Sequence, residues 1–279
     1  MRLADLFPLE PNLRDAEVSG VTADSRAVAP GFVFFAVPGV RADGLSFAAQ
    51  AVANGAAAIV AGRRPPEAPD CPLIVVEDVR AALSEAAAAL YPRQPECIAA
   101  ITGTSGKTSV AAFTRQLWLA LGHAAASLGT IGVVAPSGEV YGSLTTPDPV
   151  TLHRLLDKMT AEGVTHLAME ASSHGLDQRR LDGVRLSAAA FTNLSRDHLD
   201  YHPGVEAYLA AKLRLFDSLL PAGAPAVIDA DSDVAARVVA AARARGARAL
   251  TVGAKGDFLR LDSAEAEGLA TRLVISHAG

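Results

Sequence analysis

The 279-residue chain is poor in cysteine, in lysine and in surplus positive charge. Two cysteines, Cys71 and Cys97, give neither a disulfide framework nor a paired metal-ligand spacing; they fit a reduced compartment as small core residues. Lysine plus arginine number 25 against 30 acidic residues, a net charge of -5. Phosphate-backbone binding needs a concentrated basic surface, so no nucleic-acid partner is expected. Nothing in the chain reads as a membrane span, and "MRLADLFPLE" has no apolar core of signal-peptide length, so no membrane insertion and a cytoplasmic location are expected. The only lysines are Lys107, Lys158, Lys212 and Lys255. Where this chain needs a positive charge it nearly always uses arginine, so each lysine invites an explanation.

What is present is half apolar and a fifth charged, enough for a substantial core and about two domains. Apolar runs alternate with helical patterns, the sign of an α/β chain with a parallel sheet. "FVFFAV", "AAAIVA" and "PLIVVE" read as buried strands, with helices between and after them. "YPRQPE" (91–96) breaks the pattern and reads as a linker, which divides the chain into 1–94 and 95–279. Beyond it the expected order is strand 97–102, helix 107–121, strand "AASLG", a hairpin over 131–143, helix 149–162 and strand 166–171. Strand 186–192, helix 205–219, strand "PAVID", helix 232–245, strand "RALTV" and two antiparallel tail strands follow.

"ITGTSGKTS" (101–109) sets a glycine turn between a strand and a helix, which aims backbone N–H groups and the positive helix end at one point. Lys107 would reach outer phosphates and the Thr108 hydroxyl would ligate Mg²⁺. The spacing is shortened, because Ile101 stands where the usual pattern has its first glycine. "MEASSHGLDQRRL" places Glu170 at a strand end followed by a polar loop, where ligand sites of open parallel sheets gather. It is either a Mg²⁺ ligand or a loop-capping carboxylate. "FTNLSRDHLDYH" clusters Asn193, Asp197, His198, Asp200 and His202. His198 reads equally as a ligand or as a helix-capping or core residue, since Mg²⁺ prefers oxygen. Lys212 lies four residues from both Tyr208 and Phe216, on the apolar face of its helix. It either snorkels to water or is a desolvated, neutral amine able to take up CO₂ as a carbamate.

Taken in order, "TGTSGKTS", "LTTPD", "MEASSHGLDQRRL", "FTNLSRDHLDYH" and "YLAAKLRLF" resemble the Mur ligases of peptidoglycan synthesis, closest to the branch that adds the third amino acid. "TADSRAVAPGFVFFAVPGVRADG" resembles their uridine-nucleotide domain. The resemblance implies a Rossmann-like UDP-binding domain (1–94) and an incomplete P-loop-type parallel-sheet ATPase domain (95–279), the amino-acid-selecting third domain lying outside the chain. It implies that Gly103, Thr104, Ser105, Gly106, Lys107, Thr108 and Ser109 hold ATP. Ala23, Ser25, Val40, Arg41, Ala42, Leu144, Thr145, Thr146, Ser172, Gln178 and Arg180 would contact UDP-N-acetylmuramoyl-L-alanyl-D-glutamate, although some relatives have asparagine where Leu144 stands. Thr108, Glu170, His198 and Lys212, as a carbamate, would hold two Mg²⁺ ions, with Lys107, Lys212 and His198 catalytic. The implied reaction is ATP-dependent amide formation through an acyl phosphate, the amine coming from meso-diaminopimelate or L-lysine. The competing reading is a non-catalytic module that only grips the UDP-muramoyl peptide. An unrelated kinase or GTPase is disfavoured by the short loop and by the lack of an Asn-Lys-x-Asp stretch.

Overall fold

The computed structural model describes residues 1–7, 16–39, 42–140, 144–198 and 200–278. The chain divides into two compact units: 1–94 with 148–158 and 178–184, and 95–147 with 159–177 and 185–278.

The first unit is built on a four-stranded parallel sheet, ordered β1 (Gly20–Thr22), β2 (Phe32–Phe35), β3 (Ala58–Ala61) and β4 (Leu73–Val75). Helices α1 (Ala48–Ala53) and α2 (Val79–Leu90) accompany it. Successive strand side chains point to opposite faces, and both faces of β2 are buried. Val33 and Phe35 pack in one cluster with Leu83 and Ala87 of α2, whereas Phe34 packs in another with Ala48 and Ala51 of α1. That is why "FVFF" reads as a continuous apolar run rather than an alternating one. Each such phenylalanine contributes about 1.5–3 kcal/mol by leaving water. Asp78 caps α2 by accepting the N–H groups of Arg80 and Ala81. Strand β1 is too short and too polar at its ends to register as a strand from the sequence.

Residues 91–94 are no free linker. Arg93 makes a two-pronged ion pair with Asp157 at 2.9 and 2.7 Å, and Gln94 is buried with its amide donating to the Gly183 carbonyl at 2.9 Å.

The second unit carries a ten-stranded sheet. Its elements are β5 (Cys97–Thr102), α3 (Lys107–Ala120), β6 (Ala125–Gly129), β7 (Gly132–Ala135) and β8 (Gly138–Val140). Then come α4 (Pro149–Ala161), β9 (His166–Glu170), α5 (Ser173–Asp177), β10 (Ala188–Phe191), α6 (Val205–Arg214), β11 (Pro225–Asp229) and α7 (Ala235–Ala244). Strands β12 (Arg248–Gly253), β13 (Leu259–Glu267) and β14 (Ala270–His277) complete it, in the order β14-β13-β12-β11-β10-β5-β9-β6-β7-β8. The seven strands from β13 to β6 run parallel; β14 is antiparallel to β13, β7 to β6 and β8 to β7.

Three details differ from the sequence expectation. The hairpin over 131–143 is two strands of a β6-β7-β8 meander, and residues 141–143 lie outside the described residues. The stretch after Glu170, expected as a polar loop, holds the short helix α5. Helix 205–219 is α-helical only to Arg214; Leu215–Leu219 form a π-type turn, a widening often found at functional sites. No helix among the described residues is long and apolar enough to cross a membrane.

Candidate active site

Strand register brings the distant motifs together. β5 lies between β9 and β10, all parallel, with Ile101 opposite Glu170 and Thr102 opposite Phe191. The carboxyl ends of the three strands therefore share one rim, where open α/β sheets bind ligands.

β5 runs into Gly103, whose φ is +140°, and Gly106, whose φ is +85°, conformations that favour glycine. A Cβ on Gly103 would also stand 2.0 Å from Thr192 Oγ1. Gly106 opens α3, whose first-turn amides lack intrahelical partners and whose dipole is positive there. Lys107 curls back over this turn, its Nζ donating to the Gly103 and Thr104 carbonyls at 3.0 and 2.8 Å. Burial lowers its pKa, while the Glu170 and Asp197 carboxylates pull it upward.

Lys212 donates to the same Gly103 carbonyl at 2.7 Å and stands 4.3 Å above the Tyr208 ring. At 1 % exposure its ammonium does not reach water, so snorkelling is excluded. Burial first, then the Lys107 charge, bring its pKa down to about 7, against the pull of Asp197. Phe216, one turn on, meets Phe191 of β10 edge-to-face at 6.3 Å, which seats α6 under the rim. Near neutral pH a large share of Lys212 is free amine, the form that reacts as a nucleophile.

Glu170 is equally buried, at 1 %. Its Oε1 accepts the Thr130 N–H at 2.8 Å and its Oε2 the Thr130 hydroxyl at 3.3 Å. Thr130 sits in the tight β6–β7 turn, and Gly129 before it has no room for a side chain: a Cβ would lie 2.0 Å from Glu170 Oε1. The expected result for Gly129→Ala is a displaced carboxylate and a Mg²⁺-dependent nucleotide affinity weaker by about tenfold, at a stability cost of about 1–3 kcal/mol. Gly204→Ala, whose Cβ meets nothing within 4 Å, serves as the control. Calorimetric titration with and without Mg²⁺ checks both.

His198 has a φ of +52° and is about half-exposed, so it is no core residue; α6 starts at Val205 with Gly204 as its N-cap, so His198 is no cap for that helix. Its N–H donates to Asp197 Oδ1 at 2.9 Å, and its Nε2 is 3.6 Å from Asp197 Oδ2. Its ring meets His174 edge-on at 4.9 Å and lies 6.1 Å from Tyr208. Among the described residues, no three histidine, cysteine or acidic side chains form a ready metal cluster. The donor set nonetheless fits a hard cation. Among the described residues the hydrogen bonds to the buried Glu170 carboxylate come from Thr130, which leaves it lone pairs for a cation, and the Thr108 hydroxyl stands on the first turn of α3.

The expected substrate residues divide between the units. In the first, Ala23 and Ser25 line a cavity of about 900 Å³ with Phe32, Phe47, Tyr91 and Arg154. Ser25 donates its hydroxyl to Gln50 Oε1 at 2.8 Å. Ala42 is exposed, and Val40 and Arg41 lie outside the described residues. Gln178 Oε1 accepts from Arg180 Nε and Nη2 at 3.2 and 2.7 Å. In the second, Leu144 is exposed, and Thr145 pairs its hydroxyl with that of Thr130 at 3.0 Å. Thr146 is buried and committed to structure: its hydroxyl donates to the Glu170 carbonyl and accepts the Ser172 N–H, both at 3.0 Å. Ser172 Oγ in turn accepts the Gly175 N–H of α5 at 3.0 Å. Two contributors carry no signal in the sequence: Thr130 stands in a turn with no chemical signature of its own, and Tyr208 reads as part of the apolar face of its helix.

The fold and this rim define a parallel-sheet α/β protein with a P-loop-type turn at a strand-to-helix junction. The chain belongs to the Mur ligase family: residues 101–276 match the Mur ligase middle domain, and residues 17–91 the domain described as Mur ligase family, catalytic domain. Among its relatives is a UDP-N-acetylmuramoyl-L-alanyl-D-glutamate--2,6-diaminopimelate ligase of Bradyrhizobium diazoefficiens, 56 % identical over 100 % of this chain and 59 % of the relative. The Rhizobium meliloti enzyme of the same name is 55 % identical over 95 % of this chain and 56 % of its own length. A solved structure of a ligase of that name superposes with a TM-score of 0.85 at 29 % identity, covering 99 % of this chain and 57 % of that one. The chain thus spans somewhat more than half the length of the curated relatives it matches.

Proposed function

We propose that this chain carries the UDP-substrate and ATP-handling portions of a ligase that joins an amino acid to UDP-N-acetylmuramoyl-L-alanyl-D-glutamate through an acyl phosphate. The observation that carries it is the convergence of the glycine turn, Lys107, Glu170 and Lys212 on one rim, with two lysines on a single carbonyl. Mur ligases use ATP and Mg²⁺. The amides at the start of α3, its dipole and Lys107 suit a triphosphate, because donors fixed in advance offset the charge that builds as a carboxylate approaches the γ-phosphate. Glu170, Thr108, His198 and a carbamate on Lys212 are the residues that would hold two Mg²⁺ ions. Bound there, the ions would neutralise phosphate charge. The aromatic walls and Arg154 of the first unit's cavity suit a base and a diphosphate, in keeping with Ala23 and Ser25 as uridine-side contacts. The relatives' names favour diaminopimelate over L-lysine as the incoming amine, and a nucleotide-linked substrate and ATP are in keeping with a cytoplasmic site of action.

Phosphate release measured with MgATP and the UDP-muramoyl dipeptide, with and without each amino acid, tests the reading. Release that depends on diaminopimelate supports it. Binding of the UDP substrate with no release under any condition favours the binding-module alternative, and absence of both overturns it.

A further inference from the structure

Outside the residues just assigned, the end of β10 makes a dense set of bonds to the glycine turn. Ser105 is held on both of its backbone polar groups by one side chain: its N–H donates to Asn193 Oδ1 at 3.0 Å, and its carbonyl accepts from Asn193 Nδ2 at 3.2 Å. Thr192 Oγ1 donates to that same carbonyl at 2.7 Å. One residue back, the Thr104 N–H donates to the Asn193 carbonyl at 2.9 Å, and Thr104 Oγ1 accepts the Ser195 N–H at 2.9 Å. The amide orientation of Asn193 is dictated, since a flip would set donor against donor and acceptor against acceptor.

We propose that Asn193, assisted by Thr192, is a positioning residue that fixes the glycine turn in its phosphate-receiving shape before the nucleotide arrives. The inference rests on the ATP reading above and adds to it a part played by side chains that touch neither phosphate nor metal. A turn with glycines at both ends is flexible by composition, and ordering it on binding would subtract from affinity. The β10 end removes that cost by serving as a rigid template: its strand is locked beside β5 by register, and its two side chains grip the one non-glycine residue between Thr104 and Gly106. With Ser105 N–H and carbonyl both occupied, the amides left to face a ligand are those of the α3 first turn.

The test is calorimetric titration of the full chain with MgATP and, separately, with UDP, for the wild type and for Asn193→Ala, Thr192→Val and Thr192→Ser, alongside thermal unfolding. The clamp predicts MgATP affinity about five- to tenfold weaker in Asn193→Ala, the worth of two hydrogen bonds. UDP affinity stays unchanged. Thr192→Val weakens MgATP binding more than Thr192→Ser, which keeps the donor; this pair decides the matter should Asn193→Ala fail to fold. Equal MgATP affinity in all variants overturns the clamp alone, and a parallel fall in UDP affinity reduces Asn193 to a general structural role and also overturns it. A wild type that binds no MgATP overturns the ATP reading on which the clamp stands.

Discussion

Lys107→Ala is expected to abolish the ATP-dependent step, by a factor of about 10³ or more in phosphate release, while leaving affinity for the UDP substrate within about twofold. The asymmetry follows from position. Lys107 stands at the start of α3 in the second unit, and among the described residues its Nζ donates to the carbonyls of its own turn. The cavity holding Ala23 and Ser25 is built from residues of the first unit. Removing the ammonium takes away a fixed positive charge from where phosphate charge would be handled. It leaves the uridine side untouched. Phosphate release and UDP-substrate titration on the same preparation check this, and equal loss of both contradicts the assigned role.

The second large effect is at Lys212. Lys212→Ala is expected to lose at least about a hundredfold in phosphate release and to regain part of it with added formate or acetate, which put carboxylate oxygens where a carbamate would stand. Carbamate formation consumes the neutral amine. With a pKa lowered to about 7, that form is abundant above neutrality and disappears as the pH falls below it, so wild-type activity should drop on the acid side and the variant's rescued activity should not follow the same curve. The sign for stability agrees. Between about pH 7 and the ordinary amine range the unfolded chain binds a proton that the folded chain does not, so burying Lys212 costs most at low pH and progressively less as pH rises. A ¹³C carbamate signal after incubation with labelled bicarbonate gives a readout independent of activity. No rescue and no signal would leave Lys212 as a plain donor to Gly103.

Much of this was legible from residue types and spacing. The glycine turn announced itself through Gly103, Gly106 and a lysine in a lysine-poor chain, because backbone conformation and phosphate chemistry both constrain residue identity there. The buried strands of the first unit were legible because apolar runs without alternation admit few other readings. The fate of Lys212 was not: helical spacing places it on the inward face, but whether its amine ends in water or on a carbonyl depends on Gly103, a residue 109 positions away in sequence. The same holds for Glu170, whose burial depends on Gly129 and Thr130 across a strand pair. Thr146 shows the reverse: the motif marks it for substrate, yet its hydroxyl ties β9 to the turn before α5. Sequence patterns report what a residue type can do; parallel register, which joins positions some 70 to 90 residues apart, decides what it meets.

The central claim is that triphosphate and divalent cations meet at the rim formed by the ends of β5, β9 and β10. Crystals grown with Mn²⁺ and a non-hydrolysable ATP analogue, measured for anomalous scattering, test it most directly. The account predicts phosphate density against residues 103–109, with manganese peaks in coordination contact with Thr108 and Glu170. Phosphate bound elsewhere, or manganese away from both side chains, would contradict it.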